Sequence, residues 1–334
     1  MNESTASSRD TPIFRTRRLG HVNFFVDDLE RSTEFYNSVC GLALEFVETG
    51  LKASFLGTGH TPHDVGCIET TKGQDRRGKD GHLQIPKEVG AKPGLNHLAW
   101  EIDNEAELVA GYRRCREAGL KINRLADHQI AHSIYMNDPD GNVIEFYVDT
   151  VQDWRNVLHG ELELITSVWD PDARPPNPRP LYEDDPPRRE VATAPIHPYR
   201  LSHAVLASPD PQRLASFYAK VAGLQPVGNR GDLHVLRGSH PGYDQTLVIV
   251  ASNGSTAAGL HHFAFELTEP AALETAAREL ARRHIDVERN VVAEAKRSLL
   301  LCDPDGQRVE FFVRSAPNRA NSGASEVPLA PYLI

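Results

Sequence analysis

The chain has 334 residues, enough for two domains at about 150 residues each. With 40% hydrophobic and 25% charged residues it reads as an ordinary globular protein, and no run of about 18 apolar residues predicts a membrane span. Its net charge of −10 argues against a nucleic-acid partner, which would need clustered Lys and Arg.

The first residues, MNESTASSRDTPIFRTRRLG, lack the apolar core of a secretory signal. Residues 1–17 therefore read as a flexible tail and the protein as cytoplasmic. Arg15, Arg17 and Arg18 form a short basic cluster that reads as solvated. Cys40, Cys67, Cys115 and Cys302 show no C-x-x-C spacing and lie in apolar stretches. They are expected to be buried free thiols in a reducing compartment.

From Leu19 the chain repeats itself. LGHVNFFVDDLERSTEFYNSVCGL is matched by LSHAVLASPDPQRLASFYAKVAGL from Leu201, which aligns His21 with His203 and Tyr36 with Tyr218. GLNHLAWEI (94–102) is matched by GLHHFAFEL (259–267), and DPDGNVIEFYV (138–148) by DPDGQRVEFFV (303–313). Each half contains two smaller units. A unit starts with a strand bearing an early histidine, continues into a helix such as that through Leu108, Tyr112 and Cys115, and ends in strand-like runs. The DPDG tetrapeptides are type I turn signals between strands. Four βαβββ modules are predicted: two in residues 18–150 and two in residues 199–315. The Pro- and charge-rich stretch 151–198 reads as a connector, and residues 316–334 as a C-terminal tail.

Side chains alternate faces along a strand. In HVNFFV, His21, Asn23 and Phe25 share a face; in NVIEFYV, Glu145 shares one with Val143 and Tyr147. A glutamate among β-formers is costly to bury unless a cation compensates it. If two modules curl around one cavity, His21, His97 and Glu145 converge from three strands. Taken singly, each histidine is a strand-end residue and Glu145 an edge residue. Repeated at equivalent places, the three argue for a two-His, one-carboxylate facial set suited to Fe(II) and oxygen, with Mn(II) possible.

The modules, strand-start histidines and DPDGNxxE ending resemble the vicinal oxygen chelate superfamily. Within it, DHQIAHSIYMNDPDGNVIEFY (127–147) is similar to the signature of type I extradiol ring-cleaving dioxygenases, the catechol 2,3-dioxygenase family. His128, Ile134, Tyr135, Asp138, Pro139, Gly141 and Glu145 fill its places, and Ala126, two before His128, is a small departure. The resemblance implies an α+β fold of two vicinal-oxygen-chelate domains, each an open mixed β-barrel with flanking helices. It implies Fe(II), a catechol-type aromatic and O2 as partners, and a semialdehyde product; a homo-oligomer bound to neither nucleic acid nor membrane is expected. HDVGCIE (63–69) matches a family strand that supplies a histidine beside the substrate, which implies that role for His63. Tyr135 and His128 are implied to stabilise the substrate anion and to orient or protonate the oxygenated ring.

Residues 70–93 read as an insertion, a lid or a dimer contact. They contain His82, a rival to His63; His132 reads as structural. The C-terminal half keeps His203, His262 and Glu310 but has Leu300 where Tyr135 stands, Ala293 for His128, and Tyr243 in place of His63. Catalysis is therefore expected in residues 18–150, although many two-domain extradiol enzymes resemble the reverse case. Whether the second set binds metal stays open. The competing readings are a mixed site of His21, His262 and Glu310, hydroquinone cleavage, a metal-dependent isomerase or lyase, and a non-catalytic resistance-type binding protein.

Overall fold

The computed structural model describes residues 11–79, 81–159, 163–165, 168–183, 185–254, 256–293 and 296–314. The first ten residues of the expected N-terminal tail and the whole expected C-terminal tail lie outside the described residues.

Four modules follow one another. The first is β1 (Thr16–Val26), α1 (Leu29–Glu34), β2 (Ala43–Glu48), β3 (Ala53–Gly57) and β4 (Val65–Glu69). A hairpin of β5 (Arg76–Arg77) and β6 (Leu83–Ile85) separates it from β7 (Gly94–Ile102), α2 (Glu105–Glu117), β8 (Arg124–Asp127), β9 (Ala131–Asn137) and β10 (Val143–Asp149). The second half repeats this as β11 (Arg200–Ser208), α3 (Pro211–Phe217), β12 (Gln225–Arg230), β13 (Leu233–Arg237) and β14 (Leu247–Ala251). It closes with β15 (Gly259–Glu266), α4 (Pro270–Arg282), β16 (Arg289–Val292), β17 (Lys296–Cys302) and β18 (Arg308–Arg314). The chain thus forms two eight-stranded sheets, ordered β2-β3-β4-β1-β7-β10-β9-β8 and β12-β13-β14-β11-β15-β18-β17-β16. Each is a mixed, curled half-barrel, because the first strand of each module runs parallel to the last. This is the two-domain α+β architecture expected from the repeat.

Local chemistry starts and stops these elements. Asp28, Asn104 and Asp210 are N-caps whose carboxylate or amide oxygen accepts from the backbone N–H three residues on. In each DPDG turn the first aspartate accepts two backbone N–H groups, from Asp140 and Asn142 for Asp138 and from Asp305 and Gln307 for Asp303. After α1 the chain widens into a π-helical turn, Phe35–Val39, which carries the fully buried Tyr36.

The two halves share one core. Phe24 lies 5.3 Å from Phe263, and Trp100 lies 5.6 Å from Tyr218, ring centre to ring centre. Removing one such buried aromatic costs about 3–5 kcal/mol. The N–H groups of Ile13 and Phe14 donate to the carbonyls of Lys220 and Val221, which ties the approach to β1 to the opposite half.

Several expectations change. Arg17 and Arg18 are not solvated: both are buried on Glu101, 83 and more residues away, and only Arg15 of the trio is exposed. Cys302 is exposed; the other three thiols are buried. The stretch after residue 150 is more than a connector, since Trp154, Leu164, Trp169 and Ile196 bury their side chains in the folded body.

Candidate metal centre

Strand register brings three side chains together. β7 lies between β1 and β10, and Ala99 on β7 is opposite both His21 and Glu145. His97 stands two residues before Ala99 and so faces the same side. From these positions the His21 and His97 Nε2 atoms are 3.3 Å apart, and each is close to Glu145 Oε2, at 3.0 and 2.9 Å. Donors about 2.1 Å from one ion and at right angles to each other are about 3.0 Å apart, so these three atoms outline one face of an octahedron.

The protonation states suit that geometry. Burial pushes the His21 imidazole toward its neutral form, only partly offset by Glu145. Burial also opposes ionisation of Glu145, but His21 and His97 win and hold its carboxyl well below the usual range. The Asn96 Oδ1 accepts from His97 Nδ1 at 2.7 Å, which leaves Nε2 bare for an ion. Two neutral imidazoles and a carboxylate are the ligand states a divalent ion requires, and the residues present fit one.

His63 packs against this face, its ring 4.1 Å from that of His21. Its Nε2 donates to Asn23 Oδ1 at 3.1 Å, so Nδ1 is the bare nitrogen; that atom is buried and has no hydrogen-bond partner among the described residues. Burial, then His21, keeps the His63 pKa well below its ordinary value, so the ring is neutral. On the other side His128 Nδ1 donates to the Leu164 carbonyl at 2.8 Å, and His128 Nε2 therefore accepts from the Tyr135 hydroxyl at 3.0 Å. Burial lowers His128 to about 4 despite Glu145, and burial with Glu145 raises Tyr135 well above its ordinary value.

All six of these side chains line one cavity of about 860 Å³. Its far wall is apolar: Phe25, Phe46, Leu51, Phe55 and Ile68 from the first module, and Ile85 and Val89 from the 70–93 insertion. Leu164 and Ile165, from the stretch that reads as a connector, complete it. His82 is turned outward to the Ile165 carbonyl and Glu163 and is absent from the lining. His132 bonds Glu105 at 2.9 Å and stacks on Trp169 at 4.7 Å, away from the triad.

Four polar contributors escape a reading by motif. Asn23 is visible as the next same-face residue after His21, whereas Asn96, the Leu164 carbonyl and Asp149 leave no signal. Asp149 lines the cavity, and burial together with Glu101 raises its pKa to about 7.

In the C-terminal half, His203, His262 and Glu310 also cluster, all fully buried. Each cluster draws on its own half, so the mixed site of His21, His262 and Glu310 does not form. Tyr243 is not the counterpart of His63. Val65 pairs with Val22 as Leu247 pairs with Ala204, which makes Gln245 the counterpart, and its amide meets His203 at 3.3 Å. Tyr243 instead accepts from Arg18 across the halves at 3.0 Å.

Known proteins resemble the chain at low sequence identity. The chain is 24% identical over 312 residues to a catechol-2,3-dioxygenase of Bacillus subtilis (strain 168), covering 91% of this chain and 100% of the relative. It is 26% identical over 181 residues to biphenyl-2,3-diol 1,2-dioxygenase 3 of Rhodococcus globerulus, covering 53% of this chain and 88% of that protein. The crystal structure of the 2,3-dioxygenase LapB from Pseudomonas sp. KL28 superposes with a TM-score of 0.63 at 16% identity, over 94% of this chain and 97% of that one. The family profile matches residues 18–146 and 200–311, one stretch per half-barrel, and on that match the chain belongs to the Glyoxalase/Bleomycin resistance protein/Dioxygenase superfamily.

Proposed function

We propose that the chain is a non-haem Fe(II)-dependent extradiol dioxygenase, Mn(II) being the alternative metal, that opens the ring of an apolar catechol with O2. The observation that carries this reading is one cavity in which the His21, His97 and Glu145 face meets a Tyr135–His128 pair and the bare nitrogen of His63. When bound there, the metal would lower the pKa of a chelated diol and leave positions at which diol and O2 meet.

The protein's own groups supply the rest. Tyr135, held protonated, can turn its one hydroxyl proton from His128 to an anionic substrate oxygen. His128 Nε2, kept an acceptor because its other nitrogen donates to the Leu164 carbonyl, positions the Tyr135 hydroxyl. His63, neutral and with Nδ1 unengaged, is the base for the second hydroxyl proton. The apolar wall keeps bulk water from the reacting ring.

The cavity also speaks to substrate size. At about 860 Å³ it is several times larger than a bare catechol ring, and the excess volume is lined by Phe46, Phe55, Leu51 and Ile85. A catechol carrying an aryl or long alkyl group fits this better than catechol itself, and the similarity to a biphenyl-diol dioxygenase supports that choice.

The test is to load the protein anaerobically with Fe(II), add air, and follow O2 uptake and the yellow ring-opened product with catechol, 3-phenylcatechol and a 4-alkylcatechol. Uptake with the substituted rings at a higher kcat/KM than with catechol is expected. Fully loaded protein that consumes no O2 with any of them overturns the reading.

A further inference from the structure

The second cluster of His203, His262 and Glu310 repeats the residue types of the first but not its interior. The Lys296 side chain reaches into it, and its Nζ is 2.6 Å from Glu310 Oε2. Lysine and glutamate are both buried, at 4% and 0% exposure. The ammonium also lies 5.2 Å from the centre of the Phe312 ring, where the π-face adds to its stabilisation.

The matching position in the N-terminal half is Ala131. Lys296 is opposite Arg314 on β18 as Ala131 is opposite Asp149 on β10, and Glu310 follows Lys296 at the spacing by which Glu145 follows Ala131. Ala131 lines the 860 Å³ cavity. An alanine there leaves room for an ion and a ligand, whereas the lysine fills that room with four methylenes and a charge.

Two other details point the same way. His262 Nε2 is 3.6 Å from Glu310 Oε2, wider than the 2.9 and 3.0 Å of the first cluster. The Gln245 amide donates to His203 Nδ1 at 3.3 Å, which puts the ring proton on Nε2. The residues present therefore do not fit a metal ion, although the cluster has the right composition.

We propose that the Lys296 ammonium takes the place of a divalent ion in the C-terminal half, so that the chain has one metal site and a sealed, metal-free twin. A buried carboxylate without its cation is strongly destabilised, and a lysine at this position supplies the compensating charge that the ion supplies in the other half. The inference does not depend on what the N-terminal centre catalyses.

Metal content tests it, with Co(II) as the probe, read by elemental analysis and by the visible d–d bands. The full-length protein is expected to bind one Co(II) per chain, and Glu145→Ala none. Two per chain in the parent, or one retained in Glu145→Ala, overturns the proposal; neither measurement alters the C-terminal half. Lys296→Ala in the Glu145→Ala background is then expected to recover one Co(II) per chain, with a thermal midpoint that rises on adding Co(II). A Lys296→Ala protein that is folded by circular dichroism yet binds no Co(II) overturns the role given to the lysine.

Discussion

The Tyr36 hydroxyl donates to the Asp303 carboxylate at 2.9 Å, and the Tyr218 hydroxyl donates to Asp138 at 3.0 Å, so each half clasps the DPDG turn of the other. Arg31 on Asp305 and Arg213 on Asp140 repeat the symmetry at the surface. Tyr36→Phe is expected to lower the free energy of unfolding in urea by about 1–2 kcal/mol, since Asp303 loses one charge-assisted partner and keeps its backbone donors. Tyr218→Phe should cost as much and also weaken metal binding, because the Asp138 turn leads directly into β10 and Glu145. Equal metal affinity in the two variants would refute that link.

Glu145 and Tyr135 face each other across the β9–β10 pair, yet their losses should differ in kind. Glu145→Gln removes the charged ligand, and dialysed protein should retain no metal. Tyr135→Phe should retain its full metal content while turnover of a catechol falls about 10²-fold or more. Metal analysis beside steady-state kinetics separates the two.

Gly66 makes room for the group that orients His63. A Cβ built on it would stand 2.2 Å from Asn23 Oδ1, far inside contact distance. Gly66→Ala should therefore displace Asn23, release His63 Nε2, and lower kcat about 10-fold or more with metal content unchanged. Asn23→Ala should reproduce that loss. If Asn23→Ala turns over at the parent rate, His63 does not need this orientation.

Glu48 gives stability a pH dependence. It is 1% exposed, and burial, against hydrogen bonds from the Leu164 backbone and Gln84, raises its pKa to about 7. Between the ordinary glutamate value and that one, the folded state binds a proton that the unfolded chain has released. Stability contributed this way is complete below about pH 4.5 and is lost as the pH rises through about 7, by up to about 2–3 kcal/mol. Urea denaturation of metal-free protein at about pH 5 and about pH 8 should show that decline, and Glu48→Gln should reduce it.

The modules were legible because they rest on local patterns: period-two strands, capped helices and DPDG turns, each written more than once. The candidate ligands were legible for the same reason, since a histidine early in a strand and a glutamate after a turn recur with each repeat. What escaped reading depends on distant partners. Arg17 and Arg18 look like a solvated pair until Glu101 arrives from another strand. Leu164 is one of several apolar residues between Val157 and Trp169, and nothing local says that its carbonyl will fix the tautomer of His128. Gln245 rather than Tyr243 matches His63 because strand pairing, not the start of the apolar run, sets the alignment.

The first strand belongs to both halves. The Thr16 and Arg17 carbonyls accept from Ser239 and His240, and a few residues later the same strand presents His21. Loosening of the C-terminal half therefore pulls directly on a ligand of the other half. Heating should yield a single cooperative transition in which metal and fold are lost together, and an expressed fragment ending near residue 150 should aggregate rather than bind an ion.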